Sequence, residues 1–310
     1  MPDWALPTEY GANQIIPAAS LLKSAILIAV IADVHANVPA LEAVLADIAE
    51  QGADEIIING DLVNRGPGNA EVVERALNVP NLSAATLGNH DDLMCKWVDR
   101  DPDIPELWFE DTFWYGMAWP AQQLLAAGQI GALRELPMTY RDERQGLPNL
   151  LFSHGSPRHY REGYASHLGD QTFCEIAAQY PADVFIGSHT HRPFDHRVGH
   201  YQILNTGAVG APFNGDPRAQ YLLLHPRDGT WQPEFRAVPY DQSAALRAFE
   251  TSGYLEAGGL SARIFYDELR LSRPLYMMFW EWTEARERPK DWSSWNAFQK
   301  GHAERFRPAR

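Results

Sequence analysis

Short apolar segments alternate with amphipathic segments along the first third of the chain, and a polar cluster directly follows each apolar segment. The pattern predicts strands over Ile26–Ala32, Glu55–Asn59 and Leu82–Leu87, with helices capped by Asn37 and Asn69 between them. Strands joined by helical crossovers are typical of layered α/β folds. In such sheets ligands bind at the carboxyl ends of the strands, so we expect the polar clusters to converge there.

Strands of two kinds are predicted further along the chain. Seven segments have strand patterns: Met138–Arg144, Asn149–Ser153, Asp183–Gly187, Phe194–Val198, Tyr201–Asn205, Tyr221–His225 and Trp231–Val238. The last four form two consecutive pairs, the first of them a predicted hairpin. Sequential strands of this second kind indicate a second sheet packed on the first.

We find no internal repeat, low-complexity segment or clear linker, which favours one domain with helical additions. Residues 1–24 are expected to form an irregular arm, residues 25–270 the domain and residues 271–310 a C-terminal extension. A helical pattern over residues 93–136 carries seven aromatic side chains, which we expect to be core residues or, alternatively, a substrate-stacking surface. The extension is expected to pack on the domain or on a neighbouring subunit, as in a homo-oligomer.

Composition excludes several classes of partner. A formal net charge of −14 argues against a broad nucleic-acid surface and against general attraction to anionic membranes, since both need clustered cations. The longest apolar stretch, Ala25–Ala32, is far shorter than the roughly 20 residues that cross a bilayer. Cys95 and Cys174 are too few for a disulfide framework, so we expect a reducing, cytoplasmic setting.

His189 and His191 follow an apolar strand and are separated by one residue. In an extended segment their side chains share one face, which suits a metal ion, although two surface histidines after a buried strand are also common. Other strand ends offer partners, and the full set comprises Asp33, His35, Asp61, Asn89, His90, His154, His189 and His191. Nitrogen and oxygen ligands without a thiolate favour manganese, iron, zinc or another first-row divalent ion over a structural zinc.

Five motifs stand at these strand ends: Asp33-x-His35, Gly60-Asp61-x-x-x-Arg65-Gly66, Gly88-Asn89-His90-Asp91, His154-Gly155 and Gly187-x-His189-x-His191. Together they resemble the calcineurin-like metallophosphoesterases. The segments at residues 205–210 and 215–219 resemble the compact bacterial phosphodiesterase branch, which is diadenosine tetraphosphatase-like. The resemblance implies a four-layer α/β/β/α sandwich of two mixed sheets flanked by helices, with two divalent ions (manganese, iron, zinc or nickel).

The resemblance also implies a role for each motif residue. Asp33, His35 and His191 would hold the first metal ion, and Asn89, His154 and His189 would hold the second. Asp61 would bridge both ions, which would share a hydroxide aimed in line at phosphorus. His90 would assist the leaving group, oriented by Asp33 or Asp91. His90, Asp61 and Asn89 are therefore the predicted catalytic residues.

Cationic side chains near these motifs are candidate substrate contacts. Arg65 lies in a loop rich in glycine and proline, where its guanidinium could bind a phosphate oxygen or form a surface salt bridge. Arg158, His159 and Arg161 follow His154 and could hold a substrate or merely decorate the surface.

These observations predict a binuclear metal-dependent phosphoesterase that acts on a small phosphate ester. A phosphodiesterase with a nucleotide-like substrate is the preferred hypothesis. The alternative is a dinucleoside polyphosphate hydrolase or a protein or phosphomonoester phosphatase. A non-catalytic protein-binding scaffold of the same fold is disfavoured, because every ligand position is filled.

Overall fold

The computed structural model describes residues 26–307, so the irregular arm expected over residues 1–24 lies outside the described part of the chain. The strands are β1 (Ile28–Ile31), β2 (Glu55–Asn59), β3 (Leu82–Thr86), β4 (Thr139–Asp142), β5 (Leu150–Ser153), β6 (Val184–Gly187), β7 (Pro193–Val198), β8 (Tyr201–Thr206), β9 (Ala219–Arg227) and β10 (Thr230–Val238). The α-helices are α1 (Val38–Gln51), α2 (Asn69–Leu77), α3 (Asn89–Asp99), α4 (Tyr115–Ala126), α5 (Ile130–Arg134), α6 (Asp170–Gln179), α7 (Gln242–Thr251), α8 (Tyr254–Leu271), α9 (Leu275–Glu284) and α10 (Trp292–Gly301). None of the helices within residues 26–307 is both long and apolar enough to cross a membrane.

The strands form two five-stranded mixed sheets, in the orders β10-β9-β1-β2-β3 and β4-β5-β6-β8-β7. In the first sheet β1, β2 and β3 are parallel. Strand β9 pairs antiparallel with β1, and β10 pairs antiparallel with β9. In the second sheet β5, β6 and β8 are parallel. The expectation of a second sheet is confirmed, but the β9–β10 pair returns to the first sheet.

Alternation along β1 shows how the layers form. Ile28 and Val30 pack between the two sheets, whereas Ala29 and Ile31 face the helices on the outer side of the first sheet. On the outer side of the second sheet, Phe173 and Ile176 of α6 pack against Phe185. The order is therefore helices, sheet, sheet, helix, and the predicted four-layer α/β/β/α sandwich is confirmed.

The first helix begins at the predicted cap, whereas the second does not. The Asn37 side chain accepts from the Ala40 N–H at 3.2 Å, and Gly52 ends α1 in the left-handed region with φ +69°. Gly68 rather than Asn69 is the N-cap of α2. The Asn69 side chain instead accepts from the Asn64 N–H at 2.7 Å, so it braces the loop that follows β2.

Residues 93–136 pack mainly against the C-terminal helices. Phe113 and Trp114 are buried as expected, whereas Tyr115 is 43% exposed. Trp108 stacks on Trp114 with ring centroids 3.6 Å apart, and Trp114 lies 5.3 Å from Trp280 of α9. This aromatic cluster joins residues 93–136 to the C-terminal helices.

Candidate metal centre

The predicted ligands meet where both sheets present the carboxyl ends of their parallel strands. In the first sheet, β1 is followed by Asp33 and His35, β2 by Asp61, and β3 by Asn89. In the second sheet, β5 is followed by His154, and β6 by His189 and His191. The site therefore lies on the seam between the sheets. The ligand atoms form two groups, and within each group they all lie within 4.8 Å of one another: Asp33, His35 and His191 in one, and Asp61, His154 and His189 in the other.

The histidine rings are held so that their Nε2 atoms face the site. Nδ1 of His35 lies 3.3 Å from the Val63 carbonyl, and Nδ1 of His191 lies 2.6 Å from the Ala211 carbonyl. A carbonyl can only accept, so each Nδ1 carries the proton and each Nε2 presents a lone pair. The two Nε2 atoms are 3.1 Å apart. Lone pairs that face each other at this distance repel, and a cation beside them would relieve that repulsion, with Asp33 Oδ1 3.2 Å from His191 Nε2.

His154 has the same arrangement in the other group. Its Nδ1 lies 2.9 Å from the Asn59 carbonyl, which directs Nε2 toward Asp61 Oδ2 at 3.2 Å and Asp33 Oδ1 at 3.8 Å. A second hydrogen bond that orients a histidine in this way is usual for metal ligands.

Buried acceptors without partners complete the donor set. Four such atoms within residues 26–307 face this site: Asp33 Oδ1, Asp61 Oδ2, Asn89 Oδ1 and His154 Nε2. The other oxygen of each aspartate is occupied, since Asp33 Oδ2 accepts from the His189 N–H at 3.2 Å and Asp61 Oδ1 from the His90 N–H at 2.7 Å. Unpaired buried acceptors are costly, so a set of four indicates a site built for cations. These residues fit divalent metal ions.

The electrostatics of the site also favour a cation. Burial lowers the pKa of His154, but the carboxylates of Asp61 and Asp33 outweigh burial and raise that pKa to about 10. Burial and the neighbouring His191 hold the pKa of His35 well below its usual value. The carboxylates therefore attract a positive charge, which is either a proton on His154 Nε2 or a metal ion in its place, while the buried imidazole of His35 stays neutral and able to ligate.

Backbone strain concentrates at the predicted ligands. Five of them have positive φ angles that side-chain-bearing residues rarely adopt: Asp33, His35, Asp61, His189 and His191. The loop after β2 is held by the Asp91 carboxylate, which accepts from the backbone N–H groups of Asp61 at 2.8 Å and Leu62 at 2.9 Å. Gly88 allows the close approach of α3, because an added Cβ would lie 2.1 Å from Asp61 Oδ1.

His90 lies at the start of α3, and its orienting partner differs from the sequence expectation. Neither Asp33 nor Asp91 contacts the ring; instead Asn64 Nδ2 lies 2.8 Å from His90 Nδ1. Asn64 Oδ1 accepts from the Arg65 N–H at 2.7 Å, so the amide must present its NH2 group to the histidine. His90 Nδ1 is therefore an acceptor, and its proton sits on Nε2. Burial lowers the pKa of His90 to about 3, which keeps the ring neutral.

Arg65 lies beside the site but is committed to a carboxylate. Its guanidinium forms a salt bridge with Glu268 of α8, and these side chains are 9% and 2% exposed. The guanidinium also lies 5.3 Å and 4.9 Å from the ring centroids of Phe213 and Phe265. Glu268 additionally accepts from the Tyr276 N–H at 2.7 Å. A buried pair of this kind fixes the arginine and cancels its charge.

The other predicted substrate contacts lie in the loop after His154. Arg158 forms a salt bridge with Glu162, and its Nε lies 3.0 Å from Glu162 Oε2. His159 Nδ1 accepts from the Arg161 N–H at 3.1 Å, so the neutral ring carries its proton on Nε2. Burial, and then the Arg161 charge, lower the pKa of His159.

A comparison with protein-family models finds one that matches residues 26–193, more than half of the chain, described as calcineurin-like phosphoesterase. Phosphodiesterase YfcE of Escherichia coli is 29% identical over 62% of this chain and 83% of its own length. A symmetrical bis(5'-nucleosyl)-tetraphosphatase of Nitrosococcus oceani is 32% identical over 32% of this chain and 33% of its own. The crystal structure of a metallophosphoesterase from Sphaerobacter thermophilus aligns with a TM-score of 0.62 and 27% identity, covering 80% of this chain and all of that one.

Proposed function

The chain belongs to the calcineurin-like phosphoesterase family and is a metal-dependent phosphoester hydrolase, and from that premise we propose a phosphodiesterase that acts on a small nucleotide-like substrate. The observation that carries the proposal is the facing pair of Nε2 lone pairs on His35 and His191, 3.1 Å apart, beside unpaired carboxylate oxygens. Asp33 Oδ1 and Asp61 Oδ2 have no hydrogen-bond partner within residues 26–307 and lie 3.2 to 3.7 Å from these nitrogens, an arrangement that suits a bound cation.

We assign seven residues to two divalent ions. Asp33, His35 and His191 would hold one ion, and Asn89, His154 and His189 the other. Asp61 would serve both, because its Oδ2 lies 3.7 Å from His35 Nε2 and 3.2 Å from His154 Nε2. Mixed nitrogen and oxygen donors accept manganese, iron, zinc or nickel, and manganese is the ion of first choice for the experiments below.

When bound, two divalent ions would lower the pKa of water and offset the charge on the phosphoryl oxygens. The chain itself contributes the leaving-group contact. His90 would donate the Nε2 hydrogen to the leaving oxygen, since Asn64 holds its Nδ1 as an acceptor. Its neutral ring stabilises a developing oxyanion through a hydrogen bond rather than through full positive charge.

The state of Arg65 favours a diester over a monoester. We propose that Arg65 donates hydrogen bonds to the phosphate while Glu268 cancels its charge. A dianionic monoester would gain less from a neutralised arginine than from a free one, whereas a monoanionic diester needs less compensation. The sequence similarity to a phosphodiesterase supports the same preference.

A panel of phosphate esters tests the proposed function. With manganese present, we expect kcat/KM for bis(p-nitrophenyl) phosphate to exceed that for p-nitrophenyl phosphate by at least about tenfold, which corresponds to about 1.4 kcal/mol of transition-state binding. Release of p-nitrophenol is measured for both substrates at the same ionic strength. Equal or reversed kcat/KM values would contradict the diesterase proposal. If neither ester is hydrolysed, both the diesterase and the monoesterase assignments are wrong.

A second candidate is a dinucleoside polyphosphate hydrolase. The similarity to a symmetrical tetraphosphatase covers about a third of each chain. A strong preference for diadenosine tetraphosphate in the same panel would favour this function. We place either activity in the cytoplasm, which the two free cysteines support.

Replacement of His90 separates its role from metal binding. His90→Ala is expected to lower kcat about 10²-fold while metal content stays at the wild-type level, because His90 belongs to neither group of donor atoms. His90→Asn retains an N–H donor and should recover part of the loss. Metal analysis and steady-state kinetics check both results, with His225→Ala, which removes a histidine paired with Glu234, as the control. Loss of metal from His90→Ala would instead identify the ring as a ligand.

A further inference from the structure

The loop that follows His154 packs directly on the second group of donor atoms. An added Cβ on Gly163 would lie 3.1 Å from His189 Cδ2, and one on Gly155 would lie 2.5 Å from the Tyr160 carbonyl oxygen. The Tyr160 hydroxyl donates to Asp92 Oδ2 of α3 at 2.6 Å. The loop is thus joined to α3 through Tyr160 and packs against His189 at Gly163, and Arg161 lies between these two positions.

Most cations around this part of the site are neutralised. Arg65 is paired with Glu268, and Arg158 is paired with Glu162. Lys96, which flanks the loop on α3, lies 3.3 Å from Asp92 and 2.8 Å from Asp103. Each of these charges therefore has a carboxylate partner before any substrate arrives.

Arg161 differs from them. Its backbone N–H donates a hydrogen bond to His159 Nδ1, and its guanidinium lies 6.0 Å from the centroid of the Tyr160 ring. No carboxylate within residues 26–307 forms an ion pair with it, and the residue is exposed. Arg161 lies two residues from Gly163, which packs against His189, and its neighbour Tyr160 is hydrogen-bonded to Asp92 of α3, so the backbone of Arg161 is held beside the site. An unpaired cation in a protein with a formal net charge of −14 is a favourable place for an anion.

We propose that Arg161, with the His159 Nε2–H beside it, binds a second anionic group of the substrate, such as another phosphate of a nucleotide, away from the phosphorus that reacts. The inference rests on the proposed function and narrows it to substrates with at least two phosphate groups. We expect the second phosphate to be bound equally well in the ground state and in the transition state, and such uniform binding lowers KM without raising kcat. Arg161 is thus a specificity residue.

Matched substrates test the proposal. The p-nitrophenyl ester of thymidine 5'-phosphate is compared with the same ester carrying a 3'-phosphate, with diadenosine tetraphosphate as a further polyanion and bis(p-nitrophenyl) phosphate as the singly charged reference. For Arg161→Ala we expect KM to rise at least about tenfold for one or both polyanions and to change less than about twofold for the reference, with kcat preserved. Arg161→Lys should restore most of the affinity, and the dependence of KM on salt should weaken in Arg161→Ala.

The controls separate this inference from the proposed function. Arg247→Ala removes an arginine whose side chain is 61% exposed, paired with Asp241, and should change no KM. If wild-type protein hydrolyses the reference but Arg161→Ala has unchanged KM for both polyanions, Arg161 has no such role and the diesterase proposal survives. An equal loss on all substrates would mean that Arg161 acts on the reacting phosphate and would also overturn the inference. If wild-type protein hydrolyses no ester, the proposed function itself fails.

Discussion

Asp61→Asn is expected to lower kcat/KM for bis(p-nitrophenyl) phosphate by more than about 10³-fold in the presence of manganese, and to reduce bound metal below two equivalents. Asp61 Oδ2 lies between the two groups of donor atoms, 3.7 Å from His35 Nε2 and 3.2 Å from His154 Nε2. An amide there removes a negative charge and replaces an acceptor with a donor. The metal-binding groups would then lack the residue that serves both.

The substitution should leave the fold intact. Asn has the shape of Asp, and its Oδ1 can still accept the hydrogen bond that Asp61 receives from the His90 N–H. The melting temperature in chelator should therefore stay within a few degrees of wild type. Asp170→Asn, at an exposed aspartate paired with His196, is the matched control and should retain full activity. Activity within tenfold of wild type, with two metal ions bound to Asp61→Asn, would contradict the assignment.

Removal of metal should abolish hydrolysis and destabilise the protein. A ligand that binds only the folded state at a hundredfold excess over its Kd stabilises that state by about 2.7 kcal/mol. At about 2 to 4 °C per kcal/mol, manganese should raise the Tm of chelated protein by at least about 5 °C. The physical reason is the set of unpaired buried acceptors, together with the facing lone pairs of His35 and His191.

Metal analysis, Tm and activity are measured on the same chelated sample before and after manganese is added. Activity and Tm should recover together in wild type, whereas Asp61→Asn should show a smaller Tm increase. Full hydrolysis by protein shown to be metal-free would rule out metal dependence. Recovery of activity with no change in Tm would instead mean that the free-energy gain from the cations is smaller than the buried acceptors imply.

Local chemistry made the fold, and the convergence of the candidate metal ligands, predictable. Buried parallel strands are continuous apolar runs, so the strands ending before Asp33, Asp61 and His154 could be located, and their polar ends had to meet. The sheet to which a strand belongs is a non-local property. The alternation of apolar and polar residues along β9 and β10 would be the same in either sheet. In the structure the pair belongs to the first sheet.

The partners of the predicted residues were harder to foresee. Asn64 and Asn69 both lie near Asp61 in sequence, but a propensity argument gives Asn69 the role of a helix cap. In the structure Asn69 holds the Asn64 backbone and Asn64 orients His90. The pairing of Glu268 with Arg65 could not be predicted from the sequence, because a single glutamate in an amphipathic helix is ordinarily solvated. Helix α6 was also missed, since its apolar positions fall in a segment without a marked cap.

The salt bridge between Arg65 and Glu268 joins residues that are 203 positions apart. During synthesis from the N-terminus, every residue assigned here to metal binding is translated before Glu268. The nascent chain therefore contains every assigned metal-binding residue before it contains the carboxylate that pairs with Arg65. A chain that ends before α8 would therefore retain every assigned metal-binding residue but leave the charge of Arg65 without its carboxylate partner.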